Sequence, residues 1–310
     1  MSTTLQPEAP IQSETERIQT SLKDAKASNT WKAYRQDLGH AKAWLLKTNQ
    51  PNNDLPMSPK QVCLWLLDQE AEGAALASIA RRYACLSKLH QMKGIPEETN
   101  PCKKQVSRET LEAIKRRYAD TGKSCASLAE PFTLKQIQRA VIACNPQKAA
   151  MIAVTFLSAA RRSELAAIQM NQIKIEPKGV RILIAKGKTD QKGKGRWVFL
   201  PDSGNGLEVS NRVKAWLAMR GDGAGSFFCA SDRAFSRLAK EVARLNGLDP
   251  ARYSAHSFRA GFVTEAARSK ATVHEIMSQT GHQSSRTVDM YVRMAVGFDE
   301  SPAGRLVATQ

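Results

Sequence analysis

One stretch of this chain, residues 174–200, has the pattern of a β-hairpin, whereas most other segments have the pattern of helices. Residues 174–184 alternate like a strand, with Gly179 at a turn, and residues 196–200 form a second strand-like run. A Gly- and Lys-rich connection, residues 186–195, separates the two runs. The sequence therefore predicts a mainly α fold with a small β-sheet in the second half of the chain.

A loss of helical pattern near the middle divides the chain in two. Residues 119–130 contain the polar run Asp-Thr-Gly-Lys-Ser-Cys-Ala-Ser, which is typical of a linker. A chain of 310 residues is long enough for two cores. We predict a disordered leader over residues 1–12, an all-helical domain over 13–118, a linker over 119–130 and an α+β domain over 131–310. Helices in the first domain are predicted over residues 13–26, after Ser28, from Ser58-Pro59, over 74–92 and over 110–118.

The charge balance favours a polyanionic partner. The formal net charge is +17, and the isoelectric point is near 9.8. Lys and Arg outnumber Asp and Glu by 19 to 15 over residues 1–130 and by 27 to 14 over residues 131–310. Binding to a nucleic acid would release counterions from its phosphates. A merely solvated basic surface has the same composition, so charge alone leaves both interpretations open.

Cysteine usage and the first residues indicate a reducing setting. The six cysteines include no Cys-x-x-Cys pair, so neither a zinc site nor a disulfide framework is predicted. The chain starts without a basic and then apolar signal segment, and no apolar run approaches the length of a membrane span. We expect a cytoplasmic protein.

Arg161 and Glu164 form the first candidate catalytic pair. Residues three positions apart face the same side of a helix, so the Glu164 carboxylate can orient the guanidinium. An ordinary surface ion pair has the same spacing, and Arg162 competes for the role.

Four residues in the last third of the chain carry the chemistry of phosphoryl transfer: His256, Arg259, His282 and Tyr291. Arginine holds phosphate oxygens with a planar fork, imidazole shuttles protons, and a tyrosine hydroxyl can form a phosphoester. Ser254 precedes His256 as a candidate helix cap, and Gly281 is expected to end a helix over residues 272–280. Each residue alone also has a purely structural interpretation; Tyr291, for example, could be an ordinary buried tyrosine of a helix. Together they describe a site that breaks and rejoins a nucleic-acid backbone.

In these residues and their order the chain resembles the tyrosine recombinases, the family of Cre, the Xer proteins and the phage integrases. The matching residues are Arg161 with Glu164, Lys188, His256 with Arg259, His282 and Tyr291. The family spacing selects Arg161 over Arg162. The sequence Ser28-Asn29-Thr30, followed by Tyr34, Asp37 and Trp44, resembles the helical core-binding domain of the family, which is SAM-like.

The resemblance implies site-specific DNA recombination without a cofactor, ATP or a catalytic metal. Tyr291 would attack a phosphodiester, Arg161, Arg259 and His282 would stabilise the phosphorane, and His256 would act as a base or position the phosphate. Lys188 would protonate the leaving 5′ oxygen, with Lys186 as the fallback. A basic hairpin that only touches DNA phosphates is the alternative for this loop, which also bears Lys192, Lys194 and Arg196. A metal site built from His256, His274 and His282 fits no common zinc spacing.

The resemblance also implies double-stranded DNA as the partner, with two protomers on an inverted-repeat site and four on two sites. In the first domain, we predict Arg81 as a base-edge contact, together with Arg82, Lys32, Arg35 and Lys88 as DNA contacts. The tail after Tyr291 is predicted to dock on a neighbouring subunit. Two other classes stay open: a type IB topoisomerase, which would relax DNA of any sequence, and a non-catalytic DNA-binding regulator, which would not need Tyr291.

Overall fold

The computed structural model describes residues 28–49, 54–122, 129–185, 195–202, 204, 206–295 and 306. The chain divides into two compact units, Met1–Ser127 and Leu128–Gln310. The predicted leader, the predicted helix over residues 13–26 and linker residues 123–128 lie outside the described residues. None of the helices in the described part of the chain is long and apolar enough to cross a membrane.

The amino-terminal unit is helical throughout its described residues, apart from turns and a short 3-10 segment. Its helices are α1 (Ser28–Lys47), α2 (Pro59–Ala71), α3 (Leu76–Met92) and α4 (Gln105–Asp120). Ser58 begins α2 as predicted: its Oγ accepts from Gln61 N at 3.2 Å, and Gln61 Oε1 accepts from Ser58 N at 2.7 Å. This reciprocal cap satisfies two backbone donors that a helix start leaves unpaired.

One helix of this unit differs from its prediction. Residues 110–118 were expected to be helical, but α4 begins at Gln105 and ends at Asp120. The first two residues of the predicted linker are therefore helical. The polar first turn of α4 has no apolar periodicity, which is the signal that the prediction relied on, and Gly122 in the left-handed region follows its end. Trp65 and Ile114 are among the fully buried side chains in the core of the unit.

The carboxyl-terminal unit combines helices with one small sheet. Its helices are α5 (Leu134–Ala143), α6 (Pro146–Ser158), α7 (Arg162–Ala167), α8 (Val209–Arg220), α9 (Asp232–Leu245), α10 (Ala255–Arg268), α11 (Val273–Thr280) and α12 (Ser285–Ala295). Its strands are β1 (Ile173–Glu176), β2 (Gly179–Ile184) and β3 (Arg196–Pro201). The predicted mainly α fold with a small sheet is confirmed.

The sheet is antiparallel, in the order β1-β2-β3. Ile182 pairs with Val198, and both side chains are fully buried against the helices. Trp197 and Phe199 alternate with them and are exposed on the other face. Arg196, the first residue of β3, follows the same alternation as Val198 and so belongs to the inward side of the strand. Residues 186–194, which contain Lys186, Lys188, Lys192 and Lys194, lie outside the described residues.

A close approach of two backbones sets the position of α10. A Cβ atom added at Gly261 would lie 2.1 Å from Phe132 O, so only glycine fits at this point of the helix. Phe132 N also donates to Ser257 O at 3.2 Å. Since α10 carries His256 and Arg259, these contacts hold both residues in place relative to the rest of the unit.

Candidate active site

Arg161 lies at the start of α7 rather than within it. The expectation that Arg161 and Glu164 share a helix was wrong for Arg161, which has extended backbone angles at the position before the first helical residue. Ala159, two residues earlier, adopts left-handed angles with φ of 47°. This conformation costs a non-glycine residue roughly 1 to 2 kcal/mol. The left-handed residue turns the chain sharply between α6 and α7. Non-glycine residues in this conformation concentrate at functional sites.

Glu164 holds two arginines at once. Its Oε1 accepts from Arg161 Nη1 at 2.8 Å, and its Oε2 accepts from Arg196 Nη2 at 2.9 Å and from Arg161 N at 3.1 Å. The carboxylate side chain is only 1% exposed. Burial opposes its ionisation, but the charge of Arg196 and the hydrogen bonds from both arginines outweigh burial and hold its pKa below the usual value. Glu164 is therefore a buried anion that fixes the orientation of two cations.

Arg259 is the buried cation of the site. Its Nη1 donates to two backbone carbonyls, Ala159 O at 2.6 Å and Thr280 O at 2.7 Å. Its Nη2 is buried and has no hydrogen-bond partner among the described residues. Burial, and then the charge of Arg161, lower its pKa to about 10, so the group stays charged near neutral pH. A buried donor without a partner costs about 1 to 3 kcal/mol, so this nitrogen would gain from an acceptor that binds to it.

His282 follows the end of α11. Gly281 ends this helix in the left-handed region, as predicted, with φ of 70°. Thr280 Oγ1 donates to Ile276 O at 2.8 Å and lies 2.7 Å from His282 Nδ1, so it accepts the Nδ1 proton. This network assigns Nε2 as the free lone pair of the neutral imidazole. Burial, followed by the charges of Arg259 and Arg161, lowers the pKa of His282 to about 4.

Tyr291 lies on α12, with its ring packed among apolar side chains that include Val263 and Ile276. The residue is 9% exposed. Burial raises the pKa of its phenol, and the charge of Arg259 partly offsets this rise. The hydroxyl is therefore protonated at neutral pH and needs a proton acceptor before it can act as a nucleophile.

His256 is placed one turn before Arg259 on α10, and it is exposed. Ser254 caps this helix as predicted, since its Oγ accepts from His256 N at 3.3 Å. The structure thus brings Arg161, Glu164, Arg259, His282 and Tyr291 into one electrostatically linked cluster. No group of three or more His, Cys, Asp or Glu side chains that could hold a metal ion occurs within the described ranges.

Arg196 belongs to this cluster, although its sequence position indicated only a basic hairpin that touches DNA phosphates. It shares Glu164 with Arg161, and its charge lowers the pKa of both Arg259 and His282. Its position in the strand was the available signal. An arginine in register with buried residues such as Val198 must be paired, because an unpaired charge on an inward face is costly.

The residues predicted to bind DNA in the amino-terminal unit are partly engaged within that unit. Arg81 Nη1 forms an ion pair with Asp37, whose side chain is 3% exposed, while the arginine side chain is 47% exposed. Arg82 Nη1 donates to Gln69 Oε1 at 2.9 Å. The other three predicted DNA contacts, Lys32, Arg35 and Lys88, are exposed. Asp37 therefore fixes one edge of the Arg81 guanidinium and leaves part of it accessible.

Comparisons with known proteins cover the site and most of the chain. Residues 130–296 match the model of the phage integrase family. The chain is 29% identical over 300 residues to an integrase/recombinase xerD homolog of Selenomonas ruminantium, covering 92% of this chain and 87% of the relative. It is 23% identical over 324 residues to the recombinase cre of Escherichia phage P1, covering 93% of this chain and 92% of that relative.

Solved structures share the fold. The Tn1549 transposon integrase, in a complex with transposon right end DNA, is similar with a TM-score of 0.62 and 15% identity, covering 95% of this chain and 98% of that one. The XerH site-specific recombinase, bound to a palindromic difH substrate, is similar with a TM-score of 0.60 and 18% identity, covering 80% and 72%.

Proposed function

Because the chain belongs to the phage integrase family, we propose that it is a site-specific DNA recombinase that cuts and rejoins DNA through a 3′-phosphotyrosine bond. The observation that carries this proposal is the excess of positive charge in the cluster that contains Tyr291, with Arg259 buried within it. Arg161 and Arg196 share the Glu164 carboxylate, whereas Arg259 makes no hydrogen bond to it and its Nη2 has no partner within the described part of the chain. A phosphodiester supplies the missing anion, and its negative charge grows as the transition state forms.

In the first step, the oxygen of Tyr291 attacks the phosphorus and its proton leaves. The bond to the 5′ oxygen breaks, which leaves a 3′-phosphotyrosine and a free 5′-hydroxyl. His256 accepts the tyrosine proton or positions the phosphate, and Lys188 supplies a proton to the leaving oxygen. Attack by a 5′-hydroxyl of the partner strand reverses the step. The bond energy stays in the ester, so no ATP is required.

Glu164 and the backbone carbonyls act on the arginines rather than on the phosphate. They hold the guanidinium groups before the substrate arrives, so little reorganisation is required during the reaction. The bidentate geometry of arginine matches two oxygens of a phosphate.

His282 has a role that depends on protonation. Its Nδ1 proton is donated to Thr280, so Nε2 can donate to a phosphorane only after it takes up a proton. A bound phosphodiester offsets the arginine charges that lower the pKa, so we expect the pKa of His282 to rise from about 4 when DNA binds. NMR titration of isotope-labelled His282, with and without a target duplex, measures the change in its pKa. An unchanged pKa in the complex would contradict the donor role.

The proposal extends to assembly and location. Two protomers would bind an inverted-repeat site, and four would assemble on two sites, with one pair cleaving at a time. The carboxyl-terminal tail would dock on a neighbouring subunit, but residues 296–305 and 307–310 lie outside the described residues. A cytoplasmic location also stays a prediction.

A trapping experiment tests the proposed function. DNA that becomes crosslinked to the protein in its native host is recovered and sequenced, and the site is rebuilt as a suicide substrate, nicked so that the short fragment diffuses away. The substrate carries a label on the DNA segment that ends in the 3′-phosphate after cleavage. The protein should form a denaturant-resistant adduct that contains this label. An adduct on the 5′-phosphate side, or no adduct on any recovered site, would contradict the proposal. Relaxation of supercoiled DNA of any sequence would favour a type IB topoisomerase instead.

Replacing Lys188 by Ala tests the general acid. Cleavage should become slow on an ordinary phosphodiester and recover on a 5′-bridging phosphorothiolate, because the sulfur leaves without a proton. Cleavage rates on the two substrates give the comparison, and Lys186→Ala is the matched control. Rescue of Lys186→Ala and not of Lys188→Ala would move the role to Lys186.

Replacing Arg81 by Ala tests base recognition. If Arg81 reads a guanine, the variant should lose about 1 to 3 kcal/mol of discrimination at one base pair. Binding titrations on the target and on single-base variants measure this, at two or more salt concentrations. Equal losses on every sequence, with the salt slope reduced by about one unit, would reduce Arg81 to a phosphate contact.

A further inference from the structure

Arg196 connects three separate parts of the carboxyl-terminal unit. It is the first residue of β3, and its side chain is 20% exposed. Its Nη2 donates to Glu164 Oε2 at 2.9 Å, and its Nε donates to Gln279 O at 3.4 Å. One planar group therefore joins the sheet to the first turn of α7 and to the last turn of α11.

The same guanidinium lies against the turn that leads to His282. A Cβ atom added at Gly281 would be 2.8 Å from both Cζ and Nη1 of Arg196 and 3.1 Å from its Nε. Such distances require one of the groups to move. Gly281 is therefore constrained twice, by its left-handed backbone with φ of 70° and by the side chain of Arg196.

Gln279 adds a second connection between α11 and the sheet. Its side-chain Nε2 donates to Leu157 O at 2.9 Å and to Phe199 O at 3.3 Å. The backbone of Gln279 is bound by Arg196 while its side chain binds β3, so the end of α11 is held to this strand from two sides. Thr280, the next residue, accepts the His282 proton and supplies a carbonyl to Arg259.

We propose that Arg196 is a positioning residue, which holds Glu164, the end of α11 and β3 in the arrangement that aligns Arg161 and His282 on the phosphate. The inference rests on the proposed function. The contacts require the fork of an arginine, since two donors of one rigid plane reach two different elements. A lysine ammonium keeps the charge, but its three donors lie on one nitrogen at the end of a flexible stem, so it cannot make both contacts in the same geometry.

Arg196→Lys separates geometry from charge. We expect this variant to cleave a suicide substrate about 10-fold to 100-fold more slowly than the wild type, because misplacement by about 1 Å costs up to that much. Arg196→Gln should be at least as slow. Single-turnover cleavage is measured at saturating DNA, and binding of the same duplex is measured separately. Cleavage by Arg196→Lys at the wild-type rate would overturn the inference, because the charge at this position would then be sufficient without the arginine fork.

Arg162→Lys is the matched control. Arg162 is 52% exposed, lies in the same unit and also makes two side-chain contacts, with Asp232 and Ser236. Its replacement should change cleavage by less than about 3-fold, since surface ion pairs contribute little. A loss as large as that of Arg196→Lys would show that any arginine of this unit gives the effect, and would overturn the inference.

Gly281→Ala provides an independent test of the contact. The added methyl group should displace Arg196 and slow cleavage in the wild-type background. In the Arg196→Gln background the shorter side chain leaves room, so the combined loss should be smaller than the product of the two single losses. Losses that multiply would mean that Gly281 acts through its backbone alone, and would overturn the proposed contact.

The thermal unfolding midpoint of each variant identifies losses caused by unfolding. Adduct formation by the wild type separates a failure of the proposed function from a failure of the positioning role. If the wild type forms no adduct, the proposed function is wrong. If the wild type forms the adduct and folded Arg196→Lys cleaves equally well, only the positioning role is wrong.

Discussion

Tyr291→Phe is expected to bind its target duplex with wild-type affinity and to form no covalent adduct. The substitution removes the nucleophilic oxygen and keeps the ring, which packs in an apolar cluster with Val263, Ile276 and Val288. A swap that keeps the volume of a buried side chain costs about 1 kcal/mol or less. The suicide substrate described above, followed by denaturing electrophoresis, should give a shifted band for the wild type and none for the variant.

A thermal unfolding midpoint close to that of the wild type is the control for folding. An adduct of equal yield with the Phe variant would assign the nucleophile to another residue. Loss of both binding and the adduct would mean that the hydroxyl contributes to the fold or to DNA binding, and the variant would then not isolate the chemical step.

Arg259→Ala is expected to slow cleavage by a factor of about 100 or more. Removal of one preorganised donor to a developing negative charge typically costs this much. Arg259 also supports the site, because Ala159 O and Thr280 O lose their donor in the variant. Each unsatisfied carbonyl costs about 1 to 3 kcal/mol, so the free energy of unfolding should fall as well. Single-turnover cleavage and urea unfolding of the same sample measure the two effects.

Two further variants separate catalysis from folding. Arg259→Lys keeps a charge and one donor nitrogen, so we expect it to be more stable than Arg259→Ala and still to cleave slowly. Arg162→Ala is the control for surface charge and should be mild, because Arg162 is half-exposed and outside the cluster. Cleavage by folded Arg259→Ala at the Arg162→Ala rate would contradict a role for Arg259 at the phosphate.

Local signals predicted the two strand-like runs, the described helices of the amino-terminal unit, the start of α10 and the end of α11. The Ser58 cap, the left-handed Gly281 and the alternation on both sides of Gly179 each depend on residues only a few positions apart. Such signals are legible in the sequence because capping and turn formation are local interactions. The start of α4 was missed because its first turn, Gln105 to Arg108, is polar and packs by tertiary contact at Ser107, which is buried.

The candidate site was predicted in its members but not in its connections. The ordered motif pointed to Arg161, Arg259, His282 and Tyr291, and the structure brings these residues into one cluster. The sequence could not indicate that Nη1 of Arg259 would donate to two carbonyls. It also could not indicate that Nη2 would have no partner among the described residues. It also could not indicate that Asp37 would bind Arg81.

The sequence by itself determined the fold class and the approximate position of the strand runs and of several helices, and it nominated the side chains that we propose carry the chemistry. These depend on periodicity, caps and motif order, all of which are properties of neighbouring positions. Only the tertiary structure decided that Arg196 joins the site, since its contacts with Glu164 and Gln279 span 32 and 83 positions. The physical reason is that such contacts exist only after the sheet, α7 and α11 pack together, and burial then makes each charge depend on the partners that packing supplies.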